Sequence, residues 1–229
     1  MSQIRIEDLS KYYIETKSST GVVALNDIKL TIPPNQITWI QGPSGSGKTT
    51  LLKMIAGLLV PDEGQIFFNE HNVTHQSANM RSVSLVTQNY TLYPHMTIFD
   101  NIAYPLKQAK IPVEEIKRRV FELASWFGLE ILLSRKPKVL SGGQQQKVAI
   151  ARSLIKYPEI LLMDEPFANL DTPHALAFLE LIRNFQQKTH STVVIVSHKI
   201  ENMIKSSDYL VEIDNGEIMM AEYYGTANV

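Results

Sequence analysis

The chain contains no cysteine. Disulfides and thiolate-ligated metals are therefore excluded, and a reducing compartment is compatible with the composition. Long apolar runs are also missing. The longest, such as Ile160-Leu161-Leu162-Met163 and Val193-Val194-Ile195-Val196, are strand length, whereas a membrane helix needs about 20 apolar residues. The chain is expected not to span a bilayer and, if it serves a membrane, to dock on a partner. Its opening residues, Met1-Ser2-Gln3-Ile4-Arg5, lack the apolar stretch of a secretory signal, so no signal peptide is expected. Charge of either sign is not in excess. With 22 Lys and Arg against 23 Asp and Glu, the formal net charge is −1. No whole-chain field draws the protein to nucleic acid or anionic lipid, and no nucleic-acid partner is expected. The densest basic run, Lys117-Arg118-Arg119, reads as a solvated helical face.

What is present suits one large domain, or one domain with an inserted subdomain. The 229 residues are 44% hydrophobic and 20% charged, enough to build a substantial core. The first third reads as strands: Ile28, Leu30 and Ile32 alternate, Pro33-Pro34-Asn35 is a turn, and Ile37-Thr38-Trp39-Ile40 runs into glycines. A helix is expected from Lys48 to about Gly57, with Leu51, Leu52, Ile55 and Ala56 as its apolar stripe. In the middle, Val113, Ile116, Val120, Leu123 and Phe127 recur at helical spacing, and a second helix is expected from Ser141 to about Tyr157-Pro158. The last third alternates again: strand Ile160–Met163, helix Ala175–Phe185, strand Thr192–Val196, then two strands flanking the hairpin signal Asp214-Asn215-Gly216. Strands alternating with helices argue for a parallel sheet covered on both faces.

Gly42-Pro43-Ser44-Gly45-Ser46-Gly47-Lys48-Thr49 has the spacing G-x-x-x-x-G-K-[ST]. Glycines let backbone N–H groups approach phosphate oxygens, and the helix that follows aims its positive end at the same anion. Lys48 adds a full charge at the outer phosphates, Thr49 offers a hydroxyl to Mg²⁺, and Thr50, next in the helix start, is expected to bind the nucleotide with the rest of the loop. The bare pattern arises by chance roughly once in a hundred chains of this length. Its place between a strand and a helix is what separates it from a glycine-rich turn before a lysine-capped helix. Phosphate binding alone does not distinguish a kinase, a GTPase or a motor.

Ile160-Leu161-Leu162-Met163-Asp164-Glu165 is an apolar strand ending in two acids. Asp164 is placed to hold Mg²⁺ and Glu165 to act as general base on the attacking water. Leu140-Ser141-Gly142-Gly143-Gln144 supplies a second helix start suited to anions. One chain with one phosphate loop has no use for two such sites, whereas two chains arranged head to tail would use both.

Leu140–Gln144 followed by Gln145-Gln146-Lys147-Val148-Ala149-Ile150-Ala151-Arg152 resembles the signature segment of ABC ATPases, and the resemblance runs from Ile4 to Gly216. It implies an α/β P-loop NTPase core with a mostly parallel sheet, N-terminal antiparallel strands and an inserted helical subdomain. It also implies a single domain over 1–229, with 1–88 and 151–229 as catalytic core and 89–150 as the helical subdomain. It further implies that Tyr13 (or, second, Tyr12) stacks on adenine, and that Gln88 reaches Mg²⁺ and the attacking water. In the same way Ala168-Asn169-Leu170-Asp171 matches the loop at the dimer seam, and His198 the histidine that contacts the γ-phosphate. Ser141, Gly142, Gly143 and Gln144 of a second subunit would close over the nucleotide. The chain departs from the family pattern at Lys147, where arginine is usual, at Lys199, where an acid is common, and at Asn35-Gln36 in place of a Gly-Glu turn; none of these touches phosphate.

The implied activity is ATP hydrolysis that powers a membrane transporter through ATP-driven dimer closure, with ATP and Mg²⁺ bound. The implied partners are an identical or related ATPase subunit and separate membrane-spanning permease subunits, which would dock beside Gln88 and Leu92-Tyr93-Pro94-His95-Met96-Thr97. A cytoplasmic position on the inner face of the cell membrane follows. Leu92–Leu106 is similar to the matching segment of sugar and anion importers, whose chains usually carry a further C-terminal regulatory domain. The length up to Val229 is closer to compact ATPases of exporters and of several importers, and no cargo is implied. A soluble ABC ATPase of a cytosolic assembly system is the alternative. A nucleotide kinase does not account for Leu140–Gln144 or His198.

Overall fold

The computed structural model describes residues 2–14, 21–87, 91–168, 170–198 and 204–224. Two sheets carry the architecture. The first is antiparallel, in the order β2-β1-β4-β5, built from β1 (Ile4–Ile14), β2 (Gly21–Ile32), β4 (Glu63–Phe68) and the short β5 (His71–Asn72). The second has six strands in the order β10-β9-β3-β8-β7-β6. Here β3 (Ile37–Gln41), β6 (Val83–Val86), β7 (Ile160–Asp164), β8 (Thr192–Val196) and β9 (Tyr209–Asp214) run parallel, and β10 (Glu217–Tyr223) returns antiparallel.

The unbroken apolar strands predict burial on both faces, and two cores result. Side chains alternate across a strand, so Ile160 and Leu162 go to one side of β7 and Leu161 and Met163 to the other. Ile160 and Leu162 join Val194, Val196, the antiparallel sheet and helix α1 (Lys48–Ile55). Leu161 and Met163 join Trp39, Val193 and Ile195 in a core shared with α2 (Ile98–Gln108), α3 (Val113–Phe127), α4 (Gly142–Leu154) and α5 (Thr172–Thr189). Trp39 is fully buried there and stacks on Phe167, with ring centroids 5.7 Å apart.

Several elements differ from expectation in their limits. The β4–β5 pair has no clean apolar alternation, and the sequence did not single it out. Helix α5 begins at Thr172 because Asp171 caps it, accepting from the His174 N–H at 3.1 Å, and Pro173 fits the first turn. It runs on to Thr189. Helix α3 ends at Gly128 in the left-handed conformation and buries Ile116, Val120, Leu123 and Phe127, while Val113 is solvent-exposed. Helix α4 runs through residue 150, where the expected subdomain boundary falls. The far end of α1 is fixed by buried Arg81, whose guanidinium donates to the carbonyls of Met54 and Ile55 at 2.7 Å and also to Val73, Thr74 and Gln76. This anchors α1 with its first turn against the phosphate loop.

Candidate functional site

The loop from Gly42 to Thr49 leaves the end of β3 and feeds α1. It is held from outside its own sequence. Gly47 has φ +100°, and a Cβ there would lie 2.4 Å from the Ala24 carbonyl oxygen of β2. Only glycine is tolerated at such a contact. The turn between β9 and β10 braces the loop on its other flank: the Gly216 N–H donates to the Ser46 carbonyl at 3.2 Å, and the Gly216 carbonyl accepts from the Asn26 N–H at 2.8 Å. Pro43, Ser44 and Gly45 form the exposed rim, whereas Ser46 is buried. Lys48 opens α1 with its ammonium turned back onto the loop. It donates to the carbonyls of Gly42 at 2.9 Å and Pro43 at 2.6 Å and to Ser46 Oγ at 3.3 Å. Burial pushes its pKa down, opposed by Glu165 and Asp164. An ammonium held only by neutral oxygens is incompletely compensated, which favours an anion beside it.

Thr49 and Thr50 follow in the first turn of α1. The Thr49 hydroxyl donates to Asp164 Oδ1 at 3.0 Å, joining the loop to the end of β7. Burial raises the Asp164 pKa, with the Thr49 hydrogen bond opposing and the neighbouring Glu165 adding to the rise. A hydroxyl and a half-buried carboxylate side by side are hard oxygen donors, and a divalent cation such as Mg²⁺ suits that set. Glu165 is in the left-handed region at φ +48°, which costs about 1 kcal/mol or more for a residue with a Cβ. Its surroundings impose the conformation: its N–H donates to Val196 O at 2.8 Å, and Ser197 Oγ donates to its Oε2 at 3.0 Å. His198 Nε2 lies 3.4 Å from the other oxygen, Oε1. Lys48, Thr49, Asp164, Glu165 and His198 thus share one site at the carboxyl ends of β3, β7 and β8, where open α/β sheets bind ligands.

Ser141, Gly142, Gly143 and Gln144 occupy a second place. Ser141 is the N-cap of α4: its Oγ accepts from the Gln144 N–H at 3.3 Å, while Gln144 Oε1 accepts from the Ser141 N–H at 3.0 Å. This reciprocal pair leaves the exposed Gly142 and Gly143 at the helix start. A cavity of about 430 Å³ opens beside them, lined by Ser141, Gly143, Gln144, Lys147, Asp171 and His174 among others. Among the described residues no hydrogen bond or ion pair connects Ser141–Gln144 with Gly42–Thr49. Asp171 lies on the cavity wall, and its carboxyl is held below the usual range by the His174 N–H and imidazole.

Tyr13 is exposed near the end of β1, paired in register with the exposed Val22 of β2. Ala24 and Leu25, two and three residues further along β2, pack on Gly47, so this strand pair runs beside the phosphate loop. Tyr12 pairs with Val23 and is also exposed, its N–H donating to Asp62. Gln88, Asn169 and Lys199 lie outside the described residues.

Residues 25–168 match the ABC transporter family. The chain belongs to the ABC transporter family. The matched segment contains the phosphate loop, the α4 start and Asp164-Glu165. Among curated relatives, the chain is 43% identical over 205 residues to the molybdate/tungstate import ATP-binding protein of Pyrococcus horikoshii, covering 90% of this chain and 57% of that protein. It is 42% identical over 217 residues to a sulfate/thiosulfate import ATP-binding protein of Agrobacterium fabrum, covering 93% and 62%. The chain therefore spans about three-fifths of the length of these relatives. Among solved structures, the ATP-binding cassette MJ0796, seen as a dimer in a post-hydrolysis state with ADP and Pi, superposes with a TM-score of 0.83 at 30% identity over 96% of this chain and 98% of that one. CbiO1 of Clostridium perfringens, part of the ABC transporter complex cbiONQ, gives 0.86 at 26% identity over 96% and 88%. Among the described residues of this ABC family member, no helix is long and apolar enough to cross a membrane.

Three structural partners of the site were not read from the sequence. Ser197 looked like the end of a strand, yet it holds Glu165. Gly216 looked like a hairpin glycine alone, yet it braces the phosphate loop. Gln146 belongs to the quoted signature segment, yet nothing in the sequence pointed to its contact: its amide donates to the Pro166 carbonyl at 2.5 Å.

Proposed function

We propose that this chain is the ATP-hydrolysing subunit of a membrane transporter and works as a head-to-tail pair of cassettes on separate membrane-spanning subunits. The observation that carries this reading is the separation of two half-sites in one chain. Lys48, Thr49, Asp164, Glu165 and His198 form one, and Ser141–Gln144 with their cavity form the other. A second subunit, identical or related, brings its Ser141, Gly143 and Gln144 over the nucleotide held by the first. The dimeric MJ0796 cassette, similar over nearly the whole chain, supports that arrangement.

In this reading ATP lies along Gly42–Thr49 with adenine on Tyr13. Lys48 exchanges its loop carbonyls for phosphate oxygens. Thr49 and Asp164, with Gln88, would hold Mg²⁺, which when bound supplies positive charge at the phosphates. Glu165, oriented by Ser197 through Oε2, takes the proton of the attacking water, and His198 contacts the γ-phosphate. Closure performs work only on an attached partner. The exposed Pro94-His95 tip, fixed by Asn101 through the N–H and carbonyl of Tyr93 at 2.8 and 3.1 Å, is the proposed docking point. We place the core in 1–88 and 151–229 and the helical subdomain in 89–150, with α4 continuing across that boundary. The chain would then sit in the cytoplasm, peripheral to the membrane.

The names of its relatives favour import as the direction. They include importers of oxyanions, ferric ions and a disaccharide built on one shared cassette, so cargo choice resides outside this chain. Gentle solubilisation of host membranes and capture of the tagged chain tests the assignment. A multi-spanning membrane protein in the eluate is the expected result. Soluble partners alone, with the chain absent from membranes, would overturn it.

A further inference from the structure

We propose that Gln146 is a positioning residue that ties the signature helix of a subunit to that same subunit's Glu165, and so links the two ATP sites of a pair. The proposal rests on the head-to-tail reading above. Gln146 lies two positions beyond Gln144 on α4, is only 5% exposed, and donates from Nε2 to the Pro166 carbonyl at 2.5 Å. Pro166 directly follows Glu165, whose left-handed backbone has to be imposed by its neighbours. Two of those neighbours, Val196 and Ser197, belong to the adjacent strand β8 and its end. The Gln146 bond comes instead from the helix whose first residues face the partner's nucleotide. A third constraint, Phe167 stacked on Trp39, fixes the other side of Pro166. Pro166 therefore sits between the Phe167–Trp39 stack and the helix that carries Ser141–Gln144 at its start.

The functional consequence is directional. When Ser141, Gly143 and Gln144 engage ATP on the opposite subunit, α4 is fixed, and Gln146 sets Pro166 and thereby Glu165 on its own subunit. Occupancy of one site then prepares the general base of the other. A buried amide is suited to this role because it is rigidly oriented and its loss leaves the Pro166 carbonyl unpaired.

Mixed pairs separate this coupling from simple support of the signature. A Gln146→Met chain and a Glu165→Gln chain carry different affinity tags, the doubly tagged pair is isolated, and its steady-state ATPase is compared with that of the wild-type and Glu165→Gln pair isolated in the same way. In the mixed pair the only functional Glu165 belongs to the Gln146→Met chain, and the signature above it is intact. The proposal predicts turnover about tenfold or more below the wild-type mixture, because a small misplacement of a catalytic group costs that much, with ATP binding by the Gln146→Met chain unchanged. Equal turnover in the two mixtures would overturn it and leave Gln146 as support for the signature alone. Gln146→Asn, whose amide falls one methylene short, serves for the same comparison if the methionine chain folds poorly. The dimer reading is checked separately by wild type alone: specific activity independent of protein concentration would remove that reading, whatever the mixed pairs show.

Discussion

The Thr49 hydroxyl donates to Asp164 Oδ1 across 3.0 Å, joining the first turn of α1 to the end of β7 although the two residues are far apart in sequence. The pair supplies the hard oxygens proposed for Mg²⁺. Thr49→Val keeps the shape and removes the donor. Turnover is expected to fall by about tenfold or more, and the Mg²⁺ concentration for half-maximal activity to rise. Titration of activity with Mg²⁺ checks it, and an unchanged midpoint would argue that Thr49 is not a ligand.

Asp164 carries a stability cost that depends on pH. Burial raises its pKa in the folded state, so the folded protein takes up its proton more readily than the unfolded chain. The stability associated with the protonated form is fully present below the unfolded value of about 3.9 and is lost as pH rises through the folded value. Asp164→Asn, free of nucleotide and metal, should therefore be more stable than wild type at neutral pH. The difference should shrink as the pH falls into the ordinary carboxylate range. Denaturant unfolding at several pH values measures this, and a difference that grows on acidification would contradict the assignment.

Glu165→Gln retains the oxygen that accepts from Ser197 but loses the base. The variant should bind ATP, fall in turnover by about a hundredfold or more, and accumulate as an ATP-dependent dimer on size exclusion. Near-normal turnover would remove Glu165 from its role.

Gly216 lies on a hairpin remote in sequence from the phosphate loop, at φ +79°, and a Cβ there would come within 3.0 Å of the Ala24 carbonyl oxygen. Gly216→Ala is expected to cost about 1–2 kcal/mol of stability from the left-handed backbone, and to weaken ATP binding because Gly216 N–H holds Ser46 O. Loss of stability without loss of ATP affinity would show that the hairpin supports the sheet and not the loop.

The strand–loop–helix around Gly42–Thr49, the acid pair ending β7 and the capped start of α4 were readable because each is encoded by contiguous residues with a local physical signature. What was not readable depends on register. The parallel pairing that places Asp164 opposite Val196 brings Ser197 and His198 onto Glu165, and neither Ser197 nor Gln146 differs locally from an ordinary strand-end serine or mid-helix glutamine. Asp171 illustrates a mixed outcome: its place at the dimer seam was a family expectation, while its capping of α5 follows from Thr172-Pro173 and moved the helix start ahead of Ala175. Lys48 shows the reverse case: the sequence singled it out for phosphate, whereas its resting contacts with Gly42, Pro43 and Ser46 had no local signature.

In the head-to-tail arrangement two chains complete each ATP site. Specific ATPase activity of the purified chain, measured with MgATP across a wide dilution series, tests it most directly. Activity per chain should rise with protein concentration and reach a plateau, since Ser141–Gln144 must come from a second copy. Activity per chain that stays constant down to the lowest concentration would contradict it.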